Sequence, residues 1–115
     1  MLEFPVPTPV ATAINTSQEL VRFLLARVSE DESALKRLAR GDTGASGEIW
    51  GIPRLQAELA AKRRLIGALQ QLVVLRDQPA ERAVRHQAGQ MLRFMALPYE
   101  QHEAFRAEWR PAGSH

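Results

Sequence analysis

The stretch QAELAAKRRLIGAL, residues 56–69, decides the fold, because it carries the clearest helical periodicity in the chain. Apolar side chains recur at helical spacing on one face, at Leu55, Leu59, Ile66, Leu69 and Val73. Glu58 and Lys62 fall inside this apolar face, where a charge is costly unless a partner compensates it. The stretch therefore predicts a core helix with two charged residues whose partners come from a neighbouring helix.

Size and composition restrict the class of protein. The chain has 115 residues, no cysteine and a net charge of +2. This length fits one domain, and the lack of thiols excludes disulfides and thiolate metal sites. The start of the chain lacks a signal-peptide pattern, and no apolar run approaches the ~20 residues of a membrane span. We therefore expect a cytoplasmic protein that does not contact a membrane and needs no cofactor.

The N-terminal part is predicted to be an arm followed by a long helix. Residues 1–15 contain alternate prolines, which favour an extended, polyproline-like arm that lies on its own domain or reaches a partner. Thr16-Ser-Gln-Glu19 matches a capping box, in which the threonine hydroxyl and the glutamate satisfy each other's backbone amides. Helix 1 is therefore predicted from Thr16 to about Arg40, with Gly41 as its C-terminal stop.

Two more helices are predicted after a loop at residues 41–52, in which Ile49 and Trp50 fold back as a plug. Helix 2 runs from about Pro53 to Arg76 and helix 3 from about Pro79 to Leu97, each beginning with a proline that suits a first turn. The predicted inner face of helix 3 consists of Ala80, Val84, Ala88, Met91, Leu92 and Met95.

The C-terminal part is predicted to form a short fourth helix, from about Tyr99 to Arg110, followed by a frayed tail at residues 112–115. It would place His102, Phe105 and Trp109 on one side, as an aromatic clasp that covers the bundle. The complete fold prediction is all-α: an antiparallel three-helix bundle with a short fourth helix, forming one domain over residues 16–111.

Three segments resemble a family of small, uncharacterised actinobacterial and actinophage proteins, a domain of unknown function. They are Phe23–Glu32, Glu58–Arg64 and Leu92–Pro111, and the last contains the sequence Ala-Leu-Pro-Tyr followed by His and then Glu-Trp-Arg-Pro. The resemblance implies no activity. Members of the family often carry a Cys/His-rich segment before the Ala-Leu-Pro-Tyr sequence, which implies a metal site there. This chain has helix 3 and no cysteine at that place.

A polar cluster is predicted between helices 1 and 2, from Asp31, Glu32, Glu58 and Lys62, with Glu30 beside it. Carboxylates that face one another between helices suit a divalent cation, as in helical nucleotide pyrophosphohydrolases. Those enzymes repeat acids along each helix, whereas Lys62 stands where a second acid would be needed. A structural ion-pair network is the simpler interpretation, and a pocket for a small polar ligand is a further one.

Basic residues on helices 2 and 3 could form a surface for phosphates: Arg54, Arg63, Arg64, Arg82, Arg85 and Arg93. No helix-turn-helix spacing and no interleaved aromatic residues accompany them, so solvated helix faces explain the pattern as well. His102 beside aromatics is typical of a packed structural histidine, and no Ser or Cys nucleophile has a plausible base.

The leading functional hypothesis is a non-enzymatic protein–protein interaction or regulatory module, monomeric or weakly homo-oligomeric, with an unknown protein partner. The alternative is a nucleic-acid-associated protein that uses the arginine faces. The third hypothesis is a metal-dependent nucleotide hydrolase that uses the carboxylate cluster.

Overall fold

The computed structural model describes residues 9–41, 51–74 and 78–111, with side chains from residue 14 onward. This part of the chain contains three α helices and no strand: α1, Pro9–Ala39; α2, Ile52–Leu72; and α3, Pro79–Ala96. Two short 3₁₀ turns follow, at Leu97–Tyr99 and Ala107–Trp109. The predicted plug, residues 1–8 of the arm and the tail at 112–115 lie outside the described residues.

The start of α1 corrects the predicted extended arm, because the helix begins seven residues before Thr16. Pro9 occupies the first helical position, where its fixed φ suits a helix and its missing N–H needs no partner. Thr16 is therefore inside the helix and not its cap, and Glu19 makes an ion pair with Arg106 at 2.7 Å instead. The other end agrees with the prediction, since Gly41 has a positive φ of 78° and donates its N–H to the carbonyl of Leu38.

The buried face of α3 matches the predicted one only in part. Ala88 and Leu92 are buried and Met95 packs against the core, as predicted. Ala96 is also buried, whereas Val84 and Met91 are 43% and 46% exposed and Ala80 is exposed. Gly89 of α3 faces Ser17 of α1, and a Cβ placed on it would make an ordinary van der Waals contact with the Ser17 hydroxyl at 3.7 Å. α3 thus contacts the core through Leu92 and two alanines and leaves several large apolar side chains outside.

One hydrophobic core joins the three helices and the C-terminal segment. α1 supplies its largest share, and the buried cluster comprises Leu20, Val21, Phe23, Leu24, Val28, Ile66, Leu69, Val73, Ala88, Leu92, Ala96 and Trp109. No polar or charged side chain is buried among the described residues. Burial of this apolar surface is the main favourable term for the fold.

The predicted fourth helix is wrong. The amides of His102 and Phe105 bond to carbonyls three residues earlier, and the backbone is extended at Arg106 (φ −103°, ψ 136°). The imidazole of His102 accepts a hydrogen bond from the amide of Ala104, and that amide is then not available for the backbone hydrogen bonds of a helix. A segment this short is marginal as a helix in isolation, so side-chain packing decides its shape.

Candidate functional site

An open apolar groove of about 640 Å³ lies between the C-terminal half of α1 and the N-terminal half of α2. Its walls are mostly aliphatic, and it is lined by Asp31, Ala34, Leu35, Leu38, Leu55, Glu58, Leu59, Ala61, Lys62, Leu65 and Met95. Leu55, predicted to be a core residue, lies on its wall and is 45% exposed. A cleft of this size and lining has the properties of a ligand or side-chain binding site.

The groove exists because the helices differ in length. α1 has 31 residues and α3 has 18, which correspond to about 46 Å and about 27 Å of helix. Met95, in the last turn of α3, lines the groove at its edge. In the described residues, α1 and α2 therefore extend past the end of α3, and their facing apolar side chains stay uncovered there.

A hydrogen-bonded bridge borders the groove where α3 ends. Lys62 donates from Nζ to the Tyr99 hydroxyl at 2.9 Å, and that hydroxyl donates to Asp31 Oδ2 at 3.0 Å. The ammonium group also lies 4.9 Å from the centre of the Tyr99 ring, a cation–π distance. Asp31 and Lys62 are thus joined through Tyr99, and all three are half-buried.

Glu32 and Glu58 do not join this bridge. Glu32 accepts a hydrogen bond from Arg63 at 2.6 Å, and Arg63 also donates to the Ser29 hydroxyl at 3.0 Å. The hydrogen bond from Arg63 lowers the pKa of Glu32 below its ordinary value; desolvation opposes this effect, and the charges of Arg63 and Lys36 add smaller contributions to it. Glu58 is exposed and pairs with Arg54 at 3.2 Å.

The predicted polar cluster is therefore divided among separate partners. Glu30 completes this distribution by pairing with Arg27 at 3.0 Å. Within residues 9–41, 51–74 and 78–111, no three carboxylate or histidine side chains are grouped as metal ligands. The geometry is that of one ion pair between helices, two ion pairs within a helix and one tyrosine bridge.

The predicted basic residues also separate into groups. Arg54 and Arg63 pair with carboxylates of Glu58 and Glu32, and Arg64 is exposed on α2. Arg82, Arg85 and Arg93 lie together on α3, where they line a small cleft against α1. The arginines of α2 and α3 are thus not brought together in one of the described clefts.

The aromatic residues of the C-terminal segment gather around Phe23 of α1. The ring centre of Trp109, which is 3% exposed, lies 4.9 Å from that of Phe23, and those of Phe105 and His102 lie 6.1 Å and 5.6 Å away. Such edge and tilted contacts stabilise a cluster beyond the area that they bury. The three predicted clasp residues thus pack against α1, although they do not belong to a fourth helix.

His102 is held on both sides. Its Nδ1 accepts the Ala104 amide at 3.0 Å, and the guanidinium of Arg27 lies against the ring with Nη1 2.9 Å from Nδ1. Arg27 is 11% exposed and also stacks on Phe23, 5.1 Å from the ring centre. These contacts are typical of a structural histidine.

Sequence reasoning missed Tyr99, Arg27 and Phe23 as partners of the predicted site residues. Tyr99 was assigned to the start of a helix, and its hydroxyl had no predicted partner. A signal was present, since charged residues in apolar stripes need polar partners. Nothing in the spacing of helices 1 and 2 indicates that this group comes from the C-terminal segment.

No helix in the described part of the chain is long and apolar enough to cross a membrane. No curated protein and no solved structure matches the chain. A model of a family of unknown function, DUF6221, matches residues 17–111. This range holds the groove, the tyrosine bridge and the aromatic cluster, and it covers most of the sequence. The chain therefore belongs to the family of unknown function DUF6221.

Proposed function

We propose that this protein is a non-enzymatic binding module whose groove between α1 and α2 takes the apolar face of an amphipathic helix from a partner protein. The observation that carries the proposal is the aliphatic surface beyond the end of α3, which none of the described residues covers. A helix in this groove would continue the line of α3 and complete a third-helix position that residues 9–41, 51–74 and 78–111 leave open.

The proposal includes an antiparallel arrangement of α1 and α2. Support comes from paired positions: Glu32 bonds to Arg63, while Lys36, one turn later on α1, shares a cleft with Gln56, about two turns earlier on α2. Rising positions on α1 thus correspond to falling positions on α2. Two antiparallel helices present a continuous trough into which a third helix packs.

The dimensions of the groove define the occupant. Its α1 wall runs from Asp31 to Leu38 and its α2 wall from Leu55 to Leu65, which are about 10 Å and 15 Å of helix. About two to three turns of a partner helix fit against them, with apolar side chains at i, i+3 or i+4, and i+7. The tyrosine bridge at one end favours a polar residue at the matching end of that helix.

Residues 1–8 are a poor candidate for this groove within one molecule. α1 starts at Pro9, and Asp31, at the near end of the groove, is 22 residues further along. That separation is about 33 Å of helix, whereas eight extended residues reach at most about 29 Å. A partner chain is the occupant that we propose, and residues 42–50 are the alternative that the experiment tests. An actinobacterial or phage setting for it is the expectation that follows from the family resemblance, and a cytoplasmic setting is the expectation that follows from the sequence.

The experiment uses a phage-displayed library of amphipathic helices randomised at the apolar positions. Selected peptides are then measured by fluorescence anisotropy against three proteins: wild type, Leu55→Glu and Leu72→Glu. Both leucines are on α2 and substantially exposed, at 45% and 37%, but only Leu55 lines the groove. We expect Leu55→Glu to weaken binding at least tenfold and Leu72→Glu to leave it within about twofold.

Equal losses in the two variants would place the binding surface elsewhere and overturn the proposal. The chain's own residues 42–50 are tested by a double variant, Ile49→Ser and Trp50→Ser. Helices that bind only this variant would mean that the groove is occupied from within the chain, which also contradicts the proposal. Chemical-shift changes at Ala34, Leu38 and Leu59 on titration of wild type would support it directly.

A further inference from the structure

We propose that a second site, between α1 and α3, binds the phosphate group of a small anion. A cleft of about 210 Å³ lies between Ser17 of α1 and the middle of α3. α3 contributes Arg82, Arg85, His86 and Arg93 to its lining. This site shares no lining residue with the groove, so the two proposals stand or fall separately.

The chemistry of the lining favours an oxyanion. The lining side chains include three guanidinium groups, one imidazole, one hydroxyl and the amide of Gln90, and none of them is a carboxylate. Guanidinium groups present planar pairs of N–H donors that match the oxygens of phosphate. Arg82 is also in the first turns of α3, where the helix dipole adds positive potential that favours an anion.

Two contacts give the cleft a defined shape. Gly89 lies next to Ser17, whose hydroxyl is 3.7 Å from the position of a Cβ built on that glycine, so Ser17 lines the cleft from the facing helix. Arg93 donates from Nη1 to the carbonyls of Glu108 at 2.5 Å and Arg110 at 3.3 Å. Those bonds hold its guanidinium at the cleft, so one of the cations is positioned before any ligand arrives.

The size of the cleft selects the ligand class. Its volume is several times the ~30 Å³ share of one water molecule, which suits a single phosphate group with some of its hydration. The recognised group is thus a phosphate or phosphomonoester, and its source is either a free small molecule or the backbone of a nucleic acid.

The experiment follows thermal unfolding and calorimetric binding at constant ionic strength, with sodium chloride replaced stepwise by inorganic phosphate. Glycerol phosphate and a short DNA duplex are the second and third ligands. Arg82→Gln and His86→Ala change exposed residues of the cleft, and Arg64→Gln removes the same charge from an exposed position of α2. We expect saturable stabilisation by phosphate, at least tenfold weaker in Arg82→Gln, clearly weaker in His86→Ala and unchanged in Arg64→Gln.

The outcomes separate the sources of phosphate. Binding of inorganic phosphate and glycerol phosphate with little affinity for the duplex indicates a small-molecule site. Duplex binding that depends on Arg82 but not on Arg64 indicates the nucleic-acid backbone as the source. Equal effects of chloride and phosphate, or equal losses in Arg64→Gln and Arg82→Gln, would mean an unspecific cationic surface and would overturn the proposal.

Discussion

Replacing Tyr99 with phenylalanine tests the bridge that borders the groove. The substitution removes one oxygen, which accepts from Lys62 at 2.9 Å and donates to Asp31 at 3.0 Å. The ring stays, so its edge contact with Phe23 at 6.3 Å and its cation–π contact with Lys62 are retained. Any loss of stability therefore reports the two hydrogen bonds and not the packing.

The expected loss is about 1–2 kcal/mol. Hydrogen bonds to charged groups contribute about 1.5–3 kcal/mol each when well shielded, but Tyr99, Asp31 and Lys62 are only half-buried, and water replaces part of what is removed. The same partial exposure reduces the expected cost of Lys62→Ala to about 1 kcal/mol, below the ~3 kcal/mol that a deeply buried pair would lose. For a domain of this size, the Tyr99 variant should unfold about 4–8 °C below wild type.

The assay is urea unfolding followed by circular dichroism at neutral pH, with Tyr99→Phe, Asp31→Asn and the double variant compared as a thermodynamic cycle. The two changes remove members of one bridge, so their effects should sum to more than the effect of the double variant. Strict additivity, or a loss below about 0.3 kcal/mol in Tyr99→Phe, would mean that the hydroxyl is solvated and that the bridge does not hold the helices together.

Two further predictions concern other parts of the structure. In a Trp50→Phe variant, Trp109 should fluoresce at short wavelength and resist quenching by iodide, because its side chain is 3% exposed. Red, freely quenched emission would contradict the packed cluster. Trp109→Ala should lower the free energy of unfolding by about 3–5 kcal/mol. Glu32→Gln should destabilise the protein at neutral pH, because the variant lacks the carboxylate that Arg63 stabilises. Its difference from wild type in the free energy of unfolding should shrink as the pH falls through the pKa of Glu32, which lies below its ordinary value near 4.5, since the wild-type carboxylate is then protonated. A difference that is constant from pH 7 to pH 3 would contradict that ion pair.

Periodicity and turn residues predicted the helices well where a strong local signal was present. Pro79 at the first position and Pro98 after the end gave the bounds of α3 to within one residue. Gly41 marks the end of α1 because the turn there has a positive φ, a left-handed conformation that glycine adopts at little energetic cost. In both cases the decisive interaction lies within a few residues of the signal.

The errors arose where two local signals competed or where packing decided. The start of α1 offered both Pro9 and the capping box at Thr16, and the sequence alone ranks the second higher because it satisfies more amides. The predicted inner face of α3 contains Ala88 and Leu92, which are buried, but it also contains Val84 and Met91, which are exposed, and it omits the buried Ala96. When a helix has apolar residues on more than one side, the side that is buried depends on how closely the neighbouring helices approach. That distance is a tertiary property, so the sequence leaves the buried face of α3 ambiguous.

The tyrosine bridge also couples the groove to the aromatic cluster, because Tyr99 belongs to both. Its hydroxyl holds Asp31 and Lys62 on the groove wall, and its ring meets Phe23, which in turn packs on Trp109. A partner helix that contacts Lys62 would therefore bind best when Tyr99 is in place, which requires the C-terminal segment to be packed. By thermodynamic reciprocity, the same partner should protect that segment from opening. The segment is thus a part of the proposed binding surface even though only its first residues approach the groove.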